Sequence, residues 1–352
     1  MKQRIIGFDV ARALAIFGMV IVNFKIVMSE ETGGHEWAVW FASIFEGRAS
    51  ALFVILAGVG VTFLTNKARQ SSDTAIIATT RLALLKRALL LIAIGLALMP
   101  IWDADILHYY GLYFLIAMLI FTLSDQKLLI LTAVFTLVFP ILMLLFDYEY
   151  GWDWETITYP DFWTIEGFAR HTLFNGFHPI FPWAAFLVFG MWLGRQNLSK
   201  GTVRKQFFTY ALLTWVATEI LFYGISLLNI SDEASILTVE PMPPMPQYLL
   251  AAGSLAVVLI TVCLAVSKHF ADSIVIKWLS QTGQLSLTIY LVHVILGMGF
   301  LEAIGKLEDQ TTEFALLSAL IFCILSIVFS SIWLSYFKAG PLEFVFRKLA
   351  NR

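Results

Sequence analysis

Long apolar runs recur along the whole chain, separated by short polar segments. Runs of about 20 apolar residues can cross a bilayer as helices, whereas a membrane β-barrel would show short alternating segments. We therefore expect an all-α integral membrane protein, a polytopic bundle that forms a single domain over residues 1–352. The pattern predicts about ten membrane-spanning helices, at 8–28, 48–66, 82–100, 106–123, 128–146, 179–195, 206–228, 247–267, 281–304 and 313–337.

Composition and charge agree with this class. Of the 352 residues 59% are hydrophobic and 14% are charged, and the mean hydropathy is +0.81; soluble domains have about 25% charged residues. Most Lys and Arg residues fall on one predicted face of the membrane, so the positive-inside rule places both termini in the cytoplasm of a multi-pass protein in the plasma or inner membrane. The net charge of −2 says nothing about nucleic acid, but no basic arm or RNA-type motif appears, so no nucleic-acid partner is expected.

The first predicted span carries polar groups that a plain membrane anchor would lack: Asp9, Arg12, Asn23 and Lys25. Ionisable and amide groups are expensive inside a bilayer and usually face a protein-lined or watery cavity, which marks a functional site. Arg12 and Asn23 are eleven residues apart and share one helix face, about 16 Å apart along the axis.

Further polar residues are expected at the outer face. The stretch Trp37–Phe45 is predicted to form an outer-surface helix, so that Glu46 and Arg48 lie where the chain enters the bilayer. A carboxylate such as Glu46 beside His35 would hold the tautomer of the imidazole and stabilise its protonated form, as acid–base catalysis requires. The alternative is a Glu46–Arg48 pair that only supports packing.

Other outer residues are candidates for contact with a substrate. The histidines that map to the outer face are His35, His108, His171 and His178, and Asp105 lies just before one of them. We expect Arg48, Asp105, His108 and His178 to bind the substrate. Neither HxxxH nor HExxH spacing occurs, so no metal site is predicted.

The late span 281–304 places Ser286, Tyr290 and His293 on one stripe of a helix, which favours a lined cavity over plain helix packing. At the cytoplasmic side, Arg81, Lys86 and Arg87 stand at the start of the third span, where they could grip phosphates or serve as ordinary positive-inside anchors.

Embedded charges would also suit a small-molecule transporter or exporter. Inverted-repeat transporters tend to have Gly- or Pro-broken helices in matching halves, and no such pair is evident in the sequence. A transporter is therefore the alternative to an enzyme.

Three stretches of the chain carry a family likeness: FDVARALAIFGMVIVNF, GGHEWAVWFASIFEGRASALFVILAG and GQLSLTIYLVH. They resemble the transmembrane acyltransferase superfamily, and most closely the heparan-α-glucosaminide N-acetyltransferase-like branch with its bacterial relatives. The first is similar to an Asp-x-x-Arg-x₁₀-Asn helix. The related polysaccharide O-acyltransferases have a histidine where Asn23 stands.

The resemblance implies an acyl-CoA-dependent acyltransferase in the cell envelope. An acyl group, with acetyl favoured, would pass from cytosolic acyl-CoA to an amine or hydroxyl of an extracytoplasmic sugar or lipid. The resemblance implies His35 as the catalytic histidine, Asn23 as its neighbour and Glu46 as its acidic partner. Tyr290 and His293 would line the acyl-CoA tunnel.

On this reading the CoA nucleotide lies against Arg12, with Arg81, Lys86 and Arg87 as further candidates. Direct transfer and an acyl-histidine intermediate both remain open, as does a homo-oligomeric state.

Overall fold

The computed structural model describes residues 4–28, 33–228 and 236–350. These residues form helices and, apart from an isolated bridge between Asp153 and Thr158, no β-structure, which confirms the all-α class. Two π-helical segments, His171–Asn175 and His293–Met298, follow α7 and α12. The α-helices are α1 (Ile6–Met28), α2 (Glu36–Ser43), α3 (Arg48–Arg69), α4 (Thr74–Leu98), α5 (Leu107–Ile120), α6 (Asp125–Leu145), α7 (Ile165–Arg170), α8 (Ile180–Leu193), α9 (Gly201–Ser226), α10 (Pro246–His269), α11 (Ile274–Gln284), α12 (Ser286–Val292), α13 (Gly299–Ala303), α14 (Thr312–Tyr336) and α15 (Pro341–Ala350).

Helices lie at all ten positions that the apolar pattern predicts. Within the described part of the chain, seven helices or helix combinations are long and apolar enough to cross a membrane, or eight if the bent pair Ile165–Asn175 and Ile180–Leu193 counts as one span. α4 falls outside this group because it carries three cations, and α5 because it has 14 residues. The protein is therefore multi-pass, and the number ten stays a prediction.

The chain divides into two compact units. The first unit comprises residues 1–53, 198–211 and 255–347, and α1 packs there against α11, α12 and α14. The approach of α11 to α1 is very close: a Cβ atom on Gly283 would lie 1.8 Å from the carbonyl oxygen of Asp9. Small residues at such a crossing let two backbones meet.

A carboxylate from α15 caps α12 within the same unit. Glu343 accepts hydrogen bonds from the backbone N–H groups of Leu287 (2.9 Å) and Thr288 (3.1 Å) and from the Thr288 hydroxyl (2.6 Å). The first N–H groups of a helix have no partner inside the helix, and a negative charge there is favourable. The late predicted span is thus broken at Leu285, and α15 supplies the cap that the break requires.

The second unit comprises residues 54–197, 212–254 and 348–352, with α4 packed on α5 and α6 packed on α8. α3 and α8 meet at two glycines: a Cβ on Gly58 would lie 2.2 Å from the Leu187 carbonyl oxygen, and one on Gly190 would lie 2.1 Å from that of Ile55. The two cysteines, Cys263 and Cys323, belong to the first unit and are free and buried.

The predicted outer-surface helix is present as α2. Its large apolar residues are exposed, with Trp37 at 60% and Trp40 at 66%, as expected of a helix that lies at a membrane interface.

We expect Gly283→Ala to destabilise the first unit by about 1–3 kcal/mol, because the added methyl group forces α11 away from α1. Gly299→Ala is the matched control, since a Cβ there meets no atom within 4 Å. Thermal unfolding of the purified variants in detergent measures both. Equal unfolding midpoints for the two variants would contradict the close packing.

Candidate functional site

His35 stands at the N-cap of α2 on a loop that is bound to the start of α14. The backbone N–H and the hydroxyl of Thr312 both donate to the Gly33 carbonyl oxygen, at 3.0 and 2.8 Å. Gly34 has φ +126°, and a Cβ there would lie 2.8 Å from a Glu313 carboxylate oxygen. The conformation and the space both favour glycine at position 34.

Glu313 is the carboxylate that binds His35. Its Oε1 atom lies 2.5 Å from the backbone nitrogen of His35 and 2.5 Å from the Nδ1 atom of the ring. Because an ionised carboxylate only accepts hydrogen bonds, Nδ1 carries the proton and Nε2 is the basic nitrogen of the neutral ring. The His35 side chain is 81% exposed and Glu313 is 26% exposed, so the basic nitrogen is accessible.

An open cavity lies at this pair. It has a volume of about 530 Å³ and is lined by Gly34, His35, Thr311 and Glu313. The Thr311 hydroxyl caps α14 by accepting from the Phe314 N–H at 3.4 Å. An accessible imidazole that is oriented by a carboxylate and faces an open space could act as a general base.

Glu46, the residue expected to orient His35, has a different partner. Its Oε1 atom lies 3.0 Å from the Lys25 Nζ atom, and both side chains are about a quarter exposed. The turn between α2 and α3, with Gly47 at φ +65°, places Glu46 beside the last turn of α1. The carboxylate on His35 is therefore Glu313, and Glu46 instead neutralises the Lys25 cation.

Asn23 hydrogen-bonds to His293. Its Nδ2 atom lies 2.9 Å from Nε2 of His293, and the Nδ1 atom of that ring contacts the carbonyl oxygen of Tyr290. A carbonyl only accepts, so Nδ1 carries the proton and Nε2 accepts from the Asn23 amide. The neighbour expected for Asn23 was His35; the amide contact goes instead to the late span, where His293 is fully buried.

The predicted polar stripe in the late span is only partly continuous. Tyr290 and His293 are buried with their ring centroids 4.9 Å apart, whereas Ser286 is half-buried at the first position of α12. A π-helical segment begins at His293, the residue whose ring contacts Asn23 on α1.

Arg12 belongs to a cluster around one buried carboxylate. Asp9 is 2% exposed and contacts Arg12, while Arg4 approaches Asp9 with Nε at 2.5 Å and a second nitrogen at 3.0 Å. Two cations on one anion leave a net positive charge, and a guanidinium has more donors than one carboxylate uses. The cluster could therefore bind a phosphate group.

The remaining basic candidates lie on separate elements. Arg48 is the first residue of α3 and half-buried. On α4, Arg81 is exposed beside the Phe121 ring, 6.0 Å from its centroid, while Lys86 and Arg87 are half-buried. Arg81, Lys86 and Arg87 belong to the second unit, and their role as CoA ligands stays a prediction.

The proposed substrate ligands Asp105 and His108 are buried in the second unit, at 0 and 1% exposure. Asp105 accepts from the N–H groups of Leu107 (2.8 Å) and His108 (3.2 Å) and lies 3.3 Å from Nδ1 of His108. His178 is half-buried against Trp183, with ring centroids 4.5 Å apart. By accepting from the N–H groups of Leu107 and His108, Asp105 caps the start of α5.

The long segment before α8 is held by a buried polar network that the sequence analysis did not identify. Asn175 donates to the carbonyl oxygens of Tyr148 (2.7 Å) and Tyr150 (2.9 Å) and accepts from the Tyr159 hydroxyl (2.9 Å). The Nδ1 atom of His171 lies 2.8 Å from the Tyr109 hydroxyl oxygen, within hydrogen-bond distance. Burial raises the pKa of Tyr159, so its hydroxyl stays protonated and keeps donating.

The segment before α8 forms α7, which continues directly into the π-helical segment His171–Asn175. α7 begins at Ile165 because the Thr164 hydroxyl accepts from the Gly167 N–H at 3.0 Å.

Glu313 is the principal site residue that sequence reasoning missed. It lies 278 positions from His35, and the sequence marks it only as an acidic residue at the outer start of a predicted span. Among the residues that the structure describes, no three His, Cys, Asp or Glu side chains are grouped to hold a metal ion.

Fold and site together define a polytopic helical membrane protein with an accessible histidine–carboxylate pair and embedded polar contacts. The family model described as heparan-alpha-glucosaminide N-acetyltransferase, catalytic, matches residues 4–230, more than half of the chain. The chain therefore belongs to this family of membrane acetyltransferases. A second model, described as protein of unknown function (DUF418), matches residues 193–352. A search of curated proteins finds no match.

We expect Asn175→Ala to lower stability by about 1–3 kcal/mol for each buried group left without a partner. Asn197→Ala, at an exposed position in the same unit, is the matched control. Limited proteolysis of the segment around residues 148–164, read by mass spectrometry, measures the loosening. Cleavage at the same rate in both variants would show that the network does not hold the segment.

Proposed function

We propose that the protein transfers an acetyl group from cytosolic acetyl-CoA to an amine or hydroxyl of an extracytoplasmic sugar or lipid. The observation that carries this proposal is the accessible His35 ring bound through Nδ1 to Glu313 at an open cavity, in a chain of the N-acetyltransferase family. This geometry supports a general base whose tautomer is set by a carboxylate.

His35 Nε2 takes the proton from the acceptor amine or hydroxyl as that atom attacks the thioester carbonyl carbon. Glu313 keeps Nδ1 protonated and stabilises the positive charge that the ring gains. The bond to sulfur then breaks, and the proton passes to the thiolate of CoA as it leaves. These steps constitute a direct transfer, in which the histidine itself is not acylated.

Asn23 is proposed to donate to the carbonyl oxygen of the thioester. One of its two N–H groups is used by His293, and the half-buried amide retains the second. A donor aimed at a developing oxyanion lowers the barrier because the charge there grows in the transition state. In this mechanism His293 orients the amide, and Tyr290 packs against His293.

The Arg4–Asp9–Arg12 cluster is proposed to bind the phosphates of CoA, in the first unit, which also holds Asn23, His35 and Glu313. Both termini are expected in the cytoplasm, which puts this cluster at the cytoplasmic end of α1 and Asn23 near its outer end. The long pantetheine arm of CoA suits the distance along α1 between this cluster and Asn23.

We expect His35→Ala to lose at least about 100-fold of acetyl transfer, because a general base contributes about 10²–10⁴-fold. Glu313→Gln is expected to lose roughly 10-fold in kcat with the KM for acetyl-CoA unchanged, since an amide lacks the charge that strengthens the bond to the ring. Transfer from radiolabelled acetyl-CoA to amine and hydroxyl sugars by the reconstituted protein measures both.

Glu308→Gln, at an exposed position on the loop before α14, is the matched control for Glu313. Glu46→Gln tests the carboxylate that pairs with Lys25. Full turnover in His35→Ala would refute the proposal. A larger kcat loss in Glu46→Gln than in Glu313→Gln would refute the role of Glu313.

We expect Asn23→Ala to lower kcat by about 10²-fold while acetyl-CoA still binds, because the lost donor acts on the transition state. Calorimetric titration with CoA separates binding from turnover, and Asn197→Ala controls for loss of an amide elsewhere. Weaker CoA binding at unchanged kcat would assign Asn23 to ligand binding and contradict its catalytic role.

A further inference from the structure

The second unit contains a groove of about 630 Å³ that lies outside the proposed acetyl-transfer chemistry. Its apolar lining comes from the end of α6 and from the segment that leads into α8. These residues are Leu142, Leu145, Phe146, Leu173, Phe174 and Phe181. A volume of this size holds a molecule with a substantial apolar part.

Several apolar residues that line the groove are themselves exposed, at the end of a helix that is long and apolar enough to span a membrane. α6 is one of the candidate membrane spans, and at its end Leu144, Leu145 and Phe146 are 86, 68 and 59% exposed. Leu173 on the opposite wall is 44% exposed. Apolar side chains exposed to this degree at the end of a span contact lipid, so an alkyl chain can enter the groove sideways from the bilayer.

Arg170 is the one cation among the described residues that line the groove, and its position is fixed by its contacts. Its Nε donates to the Tyr159 hydroxyl at 2.6 Å, another nitrogen pairs with Asp161, and the guanidinium lies 4.4 Å from the centre of the Tyr150 ring. These contacts use only part of its five donors, and it lines the groove. A planar, pre-positioned guanidinium of this kind is suited to a phosphate.

Asp147 provides an anion on the same groove, three residues before Tyr150, whose ring packs against Arg170. One oxygen accepts from the Glu149 N–H at 2.9 Å, and the side chain is exposed on the groove. Since Asp161 already pairs with Arg170, an occupant with only negative charge would meet an uncompensated carboxylate at Asp147. A headgroup that carries both a phosphate and an ammonium matches the two charges.

We propose that this groove binds a zwitterionic phospholipid, with an acyl chain between α6 and the α7–α8 segment. The phosphate contacts Arg170 and the ammonium contacts Asp147. The site is one of lipid recognition and does not rest on the acetyl-transfer proposal, because it uses none of the residues placed in that mechanism.

The test measures lipid binding by the purified, delipidated full chain. Phosphatidylethanolamine with a fluorescent acyl chain is the probe, and unlabelled phosphatidylethanolamine and phosphatidylglycerol are the competitors. We expect the zwitterionic lipid to displace the probe at concentrations about 10-fold lower than the anionic one. Equal competition by the two lipids would overturn the proposal.

Two pairs of variants locate the site. Leu173→Trp fills the groove and is expected to weaken probe binding about 10-fold, whereas Leu144→Trp, which lies outside the lining, leaves it unchanged. Asp147→Asn keeps the acceptor for the Glu149 N–H and is expected to abolish the headgroup preference. Asp153→Asn, which accepts from the Glu155 N–H at 3.1 Å, is its matched control.

Leu145→Trp fills the groove from the opposite wall and serves where Leu173→Trp does not fold, as judged by gel filtration. Undiminished probe binding in a folded groove-filling variant would overturn the site, and so would an unchanged headgroup preference in Asp147→Asn.

Discussion

A polar side chain that leaves water for the hydrocarbon of a membrane needs a partner within the protein, and α1 carries four such side chains. Asp9 pairs with Arg12 and Arg4, Asn23 with His293, and Lys25 with Glu46. The partners come from the N-terminal residues, the late span and the turn before α3. Satisfying the four groups therefore ties α1 to three other parts of the first unit, and it also assembles the polar surroundings that the proposed chemistry uses.

The histidine–carboxylate pair connects a residue in the N-terminal part of the chain with one in the C-terminal part. His35 lies in the region matched by the N-acetyltransferase family model, and Glu313 lies in the region matched by the family of unknown function. A carboxylate in the first turn of α14 is favoured by the helix dipole, and there it accepts both the backbone and the ring N–H of His35. Neither matched region alone contains both members of the pair.

Side-chain carboxylates and amides satisfy backbone groups at the places where the helices of this fold are interrupted. Glu343 caps α12 where the late span is interrupted, and Asn175 satisfies carbonyl groups in the long segment before α8. In both places regular backbone hydrogen bonding stops, and an unsatisfied buried group would cost about 1–3 kcal/mol. In the second unit Asp105 caps the start of α5 in a similar way, and it is buried together with His108.

The sequence by itself determined the membrane class, the positions of the helices and the polar character of α1, because apolar length and embedded charge follow from local composition. It also singled out His35 and Asn23 through motifs whose residues lie close together in the chain. Only the tertiary structure decided the partners: Glu313 for His35, His293 for Asn23 and Lys25 for Glu46. The physical reason is that a hydrogen bond depends on which helix faces meet. Helical periodicity determines which residues share a face, but the packing of α1 against α12 and α14 determines what that face contacts.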